Sequence, residues 1–398
     1  MIRLRPILGF AIVLALPLAA QTPALTITGY AKGMAAGYDL GYDLPAVTRS
    51  SIFTGGVLRL QWGLELGSSL RIDLHEKIQG TWSDAAGGTQ TLGFGVSAVP
   101  QRFVNLRTTI TSGSHGSLTH DVDRLSATAR VGPADVTVGR QPITWGLATV
   151  FPVTDLWTQF SPFELDTENK PGTDAVRALV YPSPQVELDM VMADRGAWRD
   201  LSAGARATVS LPAADVYVGG GKFWREVIGM GGVAAVVGEW KVRAEAAVPW
   251  NLDADSLMRP RITVGADRIG ATVQLSVEYH YNGLGASNPA SYQAVLASPA
   301  FARGETYYLG RHLAGAFASW AATDRLTVGL GSMVNLNDGS VAFLPSASRD
   351  IGQRYRLTAG GLLSLGSHPD FTFPGGLAIN SEFGTYGRFG YVQGAFYF

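Results

Sequence analysis

Long stretches of this chain alternate strictly between apolar and polar residues, and no other feature limits its fold so sharply. Leu58, Leu60, Trp62, Leu64 and Leu66 share one parity, while Arg59, Gln61, Gly63 and Glu65 hold the other. After Gly67 and Ser68 the pattern resumes, with Leu70, Ile72 and Leu74 set against Arg71, Asp73, His75 and Lys77. The clearest run places Ala271, Val273, Leu275, Val277, Tyr279 and Tyr281 against Thr272, Gln274, Ser276, Glu278 and His280. A period of two means strands with one apolar and one polar face. Beyond the first 20 residues no segment has the roughly 18 uninterrupted apolar residues of a membrane-spanning helix.

Composition narrows the function classes. Among 398 residues there are 49 glycines, and 16% are charged, where soluble domains average about 25% charged and roughly 7% glycine. The net charge of −1 gives no basis for binding nucleic acid through a basic surface. The absence of cysteine excludes disulfides, thiolate metal sites and a cysteine nucleophile. At the start, Arg3 and Arg5 precede an apolar run from Ile7 to Leu18, then Ala19, Ala20 and the polar Gln21. That order predicts a secretory signal peptide over residues 1–20, leaving residues 21–398 outside the cytoplasm.

A soluble sandwich would share the period of two, but three further features favour a transmembrane barrel. Tight turns near residues 67, 132, 182–184, 211–213, 238, 268–270 and 323 alternate with longer connections near 38–50, 82–118, 144–173, 194–200, 222–228, 250–260, 283–305 and 337–352. Short turns on one rim and long loops on the other are how outer-membrane barrels are built. Trp240 and Trp250 share the apolar parity ten residues apart, a spacing that projects to about 25 Å, the height of a lipid-facing band. Trp62, Tyr281 and Trp320 also sit at strand ends on that parity. Finally, the chain ends Gly390-Tyr-Val-Gln-Gly-Ala-Phe-Tyr-Phe398, with Val392, Phe396 and Phe398 on one parity.

This ending resembles the C-terminal signal of Gram-negative outer-membrane β-barrel proteins, with Gly394 departing from the larger apolar residue commoner there. The resemblance implies an outer-membrane, porin-like protein whose last strand, through Phe396 and Phe398, is read by the barrel-assembly machinery. The expected fold is an all-β, antiparallel up-and-down barrel of about 16–18 strands, wide enough for an aqueous channel. Closure has its own reason, since in hydrocarbon every backbone N–H and C=O needs a partner and an open sheet edge has none.

Taking the apolar parity as outward, the polar interior includes Arg59, Arg71, Arg124, Arg130, Arg177, Arg206 and Arg243, together with acids such as Glu245 and Glu278. The planar fork of arginine suits carboxylate or phosphate groups, though a hydrated wall of mutually compensating charges is the simpler reading. Residues 144–173 form the most informative segment. They carry Trp145, Phe151, Trp157, Phe160 and Phe163, and from Asp155 to Asp174 the acids Asp155, Glu164, Asp166, Glu168 and Asp174 face Lys170 alone. Such a loop is expected to bury its rings in the lumen, narrow the pore and set Asp166 and Glu168 near arginines of the wall. In position and composition it resembles the constriction loop of porins. A loop packed on the outer rim is the alternative.

Catalytic constellations are thin. His280 and Ser276 share a strand face, but side chains four residues apart on a strand stand about 13 Å apart. His75 between Asp73 and Lys77 reads as a solvated lumen histidine rather than a metal ligand, and Gly219–Lys222 lacks the spacing of a phosphate-binding loop. The sequence therefore points to a channel for small hydrophilic solutes or ions, embedded in the lipid bilayer of the outer membrane, without cofactor or metal. A barrel that sheathes a plug or electron carrier and an outer-membrane hydrolase are the alternatives.

Overall fold

The computed structural model describes residues 23–43, 47–85, 102–372 and 376–398; the expected signal peptide lies outside them. Eighteen antiparallel strands close into one barrel. In order around the ring they are Ala24–Asp39, Ser50–Leu66, Leu70–Ser83, Gly116–Val131, Ala134–Gln141 and Thr173–Ser183. Val186–Ala193, Ser202–Ser210, Ala214–Phe223, Glu226–Val237, Trp240–Asn251 and Arg261–Ile269 follow. Val273–Tyr281, His312–Thr323, Leu326–Asn335, Val341–Ile351, Tyr355–Leu365 and Arg388–Tyr397 complete it. The last strand pairs with the first from Tyr30↔Tyr397 to Asp39↔Arg388, so the sheet has no free edge. Beyond that ladder Gly29 and Phe398 exchange both backbone hydrogen bonds, at 2.9 and 3.0 Å.

The alternation reads onto the wall as the sequence predicts. Val273 and Val277 are 49% and 39% exposed on the outer face, while Gln274 and Ser276 line the lumen. Trp240, Trp250 and Trp320 are exposed on the outside, where rings with an apolar body and a polar edge mark the borders of a lipid belt. A closed sheet with an apolar outer belt is the surface that a bilayer requires. One rim carries only short turns; Gly67, Gly132, Gly238 and Gly352 turn four of them with φ of 60–68°, a region open to glycine at no steric cost.

Two expected long connections are not loops. Residues 222–228 hold only the two-residue turn Trp224–Arg225, and 337–352 consist mostly of the strand Val341–Ile351. Their polar residues belong to the inward parity of strands, not to connections. The strand Ala134–Gln141 stops after 8 residues, where the chain turns into the lumen. The upper edge of Gly116–Val131 that it leaves open is taken by the short strand Arg107–Ser112.

Candidate functional site

The segment between Gln141 and Thr173 lies inside the barrel and is fixed to the wall at several places. Its first part packs as a core: Ile143, Trp145, Leu156 and Trp157 are buried against Val191, Tyr217, Phe223, Ile228 and Ala247. Trp145 and Trp157 meet edge to face at 5.1 Å, and the Trp145 indole N–H donates to Asp189 at 2.7 Å. Asp189 also accepts from Arg177 at 2.7 Å, so one buried carboxylate fixes both the loop root and the wall.

The next residues are held by two wall carboxylates. Glu245 accepts the backbone N–H of Leu147 at 2.6 Å and of Val153 at 2.7 Å. Glu278 accepts those of Thr149, Val150 and Phe151 at 2.6, 3.0 and 2.9 Å. Buried backbone N–H groups need partners, and this stretch, Leu147–Val153, carries no donor side chain except Thr149. Arg243 braces Glu278 at 2.5 Å and also pairs with Asp267. Phe151 stacks on His280 at 5.2 Å and lies over Gly315, where a Cβ would stand 3.0 Å from its ring. His280 is thus an anchor for the loop, hydrogen-bonded to Thr263 at 3.0 Å, and no nucleophilic pair forms with Ser276.

The loop then crosses to the opposite wall. Asp166 and Glu168 meet Lys32 at 2.9 and 3.1 Å, with Tyr30 and Tyr397 donating their hydroxyls to Asp166 and Glu168. The cation that pairs with both acids is Lys32, and the wall's Arg356 stands within electrostatic reach of Glu168. Asn169 accepts from Gln61 at 3.2 Å. Asp155 turns back into the loop and pairs with Lys170. Burial pushes the Asp155 carboxyl up and the Lys170 ammonium down from their ordinary values, and each offsets the other.

The remaining candidates divide by position. Arg59 is buried in the wall against Asp123 at 2.7 Å, with Arg124 opposite His75 in the neighbouring register. Arg206 donates to the carbonyl of Trp145 at 3.0 Å and reaches Glu187 at 3.3 Å. Arg71 and Arg130 are exposed at the short-turn rim, paired locally with Asp73 and Asp135, and Asp174 pairs with Arg140 at 2.7 Å on the wall. Arg71 and Arg130 thus stand away from the loop, whereas Asp174 flanks its root at Thr173, level with Leu125 near the middle of Gly116–Val131. Of the five loop acids, Glu164 and Asp166 line the open passage.

That passage is a cavity of about 1060 Å³ between the loop and the wall from Lys32 round to Gln393. The loop contributes Thr149 and residues 162–167 to it; the wall contributes Gln79, Gln274 and Phe317 among others. Among the described residues no group of three or more histidine or carboxylate side chains is placed to hold a metal ion.

No family model matches the chain, and no curated protein matches it. Solved structures do. Acinetobacter baumannii OccAB3 aligns over 94% of this chain and 99% of its own, with 7% identity and a TM-score of 0.58. OccAB4 of the same organism aligns over 96% and 100%, at 8% identity and a TM-score of 0.54. The outer membrane protein opdK of Pseudomonas aeruginosa aligns over 94% and 98%, at 9% identity and 0.54. At such identities the likeness is one of fold: a porin-like barrel in which 18 strands enclose a lumen.

Proposed function

We propose that the protein is an outer-membrane channel whose conducting path is the passage between residues 162–167 and the far wall. The observation that carries the reading is a lumen half filled by a fixed loop and half open. Glu245, Glu278 and Lys32 pin the loop at three places on the wall, and a cavity of about 1060 Å³ remains beside it. Phe396, half-buried, and Phe398, exposed, stand at the short-turn rim beside Tyr355, and the resemblance of this ending to outer-membrane barrel signals supports their recognition by the assembly machinery.

In this reading Asp166, Glu168 and Lys32 set the charge at the narrow point. Two carboxylates against one ammonium leave an excess of one negative charge, which attracts cations and repels anions. The test is the reversal potential of single channels in a potassium chloride gradient, for the native chain and for Asp166→Asn with Glu168→Gln. Neutralising both acids leaves Lys32 alone and moves selectivity toward chloride, and raising the salt mutes the shift as the Debye length falls from about 10 Å at 0.1 M to about 3 Å at 1 M. Equal reversal potentials in the two proteins sink the assignment of the constriction, and absence of any conductance sinks the channel.

A further inference from the structure

We infer that the passage binds a neutral polyhydroxylated ring, a hexose or short oligosaccharide, by stacking it on flat-lying aromatic side chains. The inference rests on the channel reading and adds the class of solute.

The first observation is how the rings lie. Phe317 covers Gly331 so closely that a Cβ there would stand 2.4 Å from a ring atom, and Tyr391 covers Gly360 with the corresponding distance at 2.8 Å. Each ring leans along the wall, across a neighbouring strand's residue that has no side chain. Nearby, Phe53 and Phe389 stack at 5.8 Å and 21°, and Phe389 meets Tyr391 at 5.7 Å. Phe53 and Tyr391 are both register partners of the small Ala36 on the strand between them, so the rings run as a row across three strands.

The second observation is what surrounds them. Gln79, Gln274 and Gln393 line the same cavity, and among the described residues none of the three amides has a hydrogen bond to another side chain. An amide both donates and accepts, as a sugar hydroxyl does. The third is charge. Lys32 is held by Asp166 and Glu168, Asp267 by Arg243 and Arg268 by Glu239, and Glu164 is not free either. An anionic solute finds no free cation among the described residues here, and the single negative excess around Lys32 repels it. A purely apolar one would strip water from the amides without replacing its hydrogen bonds, which leaves buried donors and acceptors unsatisfied. A pyranose, with C–H faces and hydroxyl edges, satisfies both rings and amides.

The test is current block in planar bilayers. The full-length barrel is reconstituted in potassium chloride, and maltose, glucuronate or a poly(ethylene glycol) of matching mass is added. Maltose blocks the current reversibly, and at lower concentration than either control. Phe317→Leu and Tyr391→Leu keep apolar bulk but lose the flat face; each raises the half-blocking concentration about tenfold, the scale of one ring contact, while Phe317→Trp restores block. Unchanged gel mobility of unboiled samples certifies folding of each variant. Conductance that maltose never alters, or stronger block by glucuronate, overturns the inference and leaves the channel standing. A barrel that passes no potassium chloride overturns the channel reading itself.

Discussion

Replacing Glu278 by glutamine is the most direct test of what holds the loop. One carboxylate oxygen, Oε1, accepts from Thr149 and from Arg243; the other, Oε2, accepts from Val150 and Phe151. A glutamine has one acceptor oxygen, so whichever way its amide is turned, an NH₂ group faces at least two donors. Hydrogen bonds to a charged group contribute about 1.5–3 kcal/mol each, and losing two costs about 3–6 kcal/mol. The stacking of Phe151 on His280 and its contact with Tyr308 return about 0.5–1.5 kcal/mol apiece beyond buried area, which is too little to hold residues 149–151 in place. The freed segment leaves the wall, widening the passage and exposing it to loop motion. Single-channel recording then shows higher conductance and added open-channel noise relative to the native protein. Glu239→Gln is the control, because it breaks only an exposed pair with Arg268, of a kind worth about 0–1 kcal/mol. Native conductance and noise in a folded Glu278→Gln channel refute the anchoring role.

Two further outcomes follow from the same geometry. Val277→Arg puts a charge on the lipid face in the middle of the strand Val273–Tyr281, four residues in from the register partner of Trp320, at a cost that reaches about 2–4 kcal/mol at the midplane, and lowers the folded, heat-modifiable fraction on a gel, whereas Gln274→Arg, on the lumen wall, folds normally; the reverse order means the register is off by one. The third concerns Glu382, buried in the connection before the last strand, where it accepts the backbone N–H groups of Leu309 and Gly310 at 3.0 and 2.9 Å. Burial, with Asp338 adding to it, raises its carboxyl from near 4.5 to about 7. A raised folded-state pKa stabilises the fold fully below the unfolded value and loses that contribution as pH rises through about 7. Amide exchange near residues 309–310, corrected for its intrinsic pH dependence, is therefore faster at pH 8 than at pH 5.5, and Glu382→Gln removes the difference; no pH dependence in the native chain contradicts the linkage.

The barrel was legible because its determinants are local. Each lipid-facing residue announces itself by parity, since hydrocarbon tolerates no exception that a neighbour could repair, and the strand Val273–Tyr281 shows inside and outside residue by residue. Connections were less legible for the complementary reason. Nothing in polarity separates an inward-facing strand residue from a loop residue, as both meet water, so Val341–Ile351 with its Ser346, Ser348 and Asp350 read as part of a long loop. The turn Trp224–Arg225 was hidden in the same way, and because Trp224 holds a φ of 48°, its sequence carries no glycine to mark the bend.

The loop shows where counting charges misleads. Five acids against one lysine suggest a segment drawn inward by basic side chains, yet the wall meets its middle with Glu245 and Glu278. The resolution lies in the backbone. An apolar stretch inside a lumen must still place its N–H groups, and a carboxylate with two oxygens can collect several of them at once. The loop is negative in its side chains and positive in the groups it turns to the wall. Two of its own acids are then compensated elsewhere, Asp155 by Lys170 and Asp174 by Arg140, and the group around Lys32 carries an excess to the passage. A sequence signal for such anchors does exist: an inward acid on a strand beside a loop without side-chain donors. It becomes readable only once the loop is known to enter the barrel, because the partner is a backbone that every residue shares.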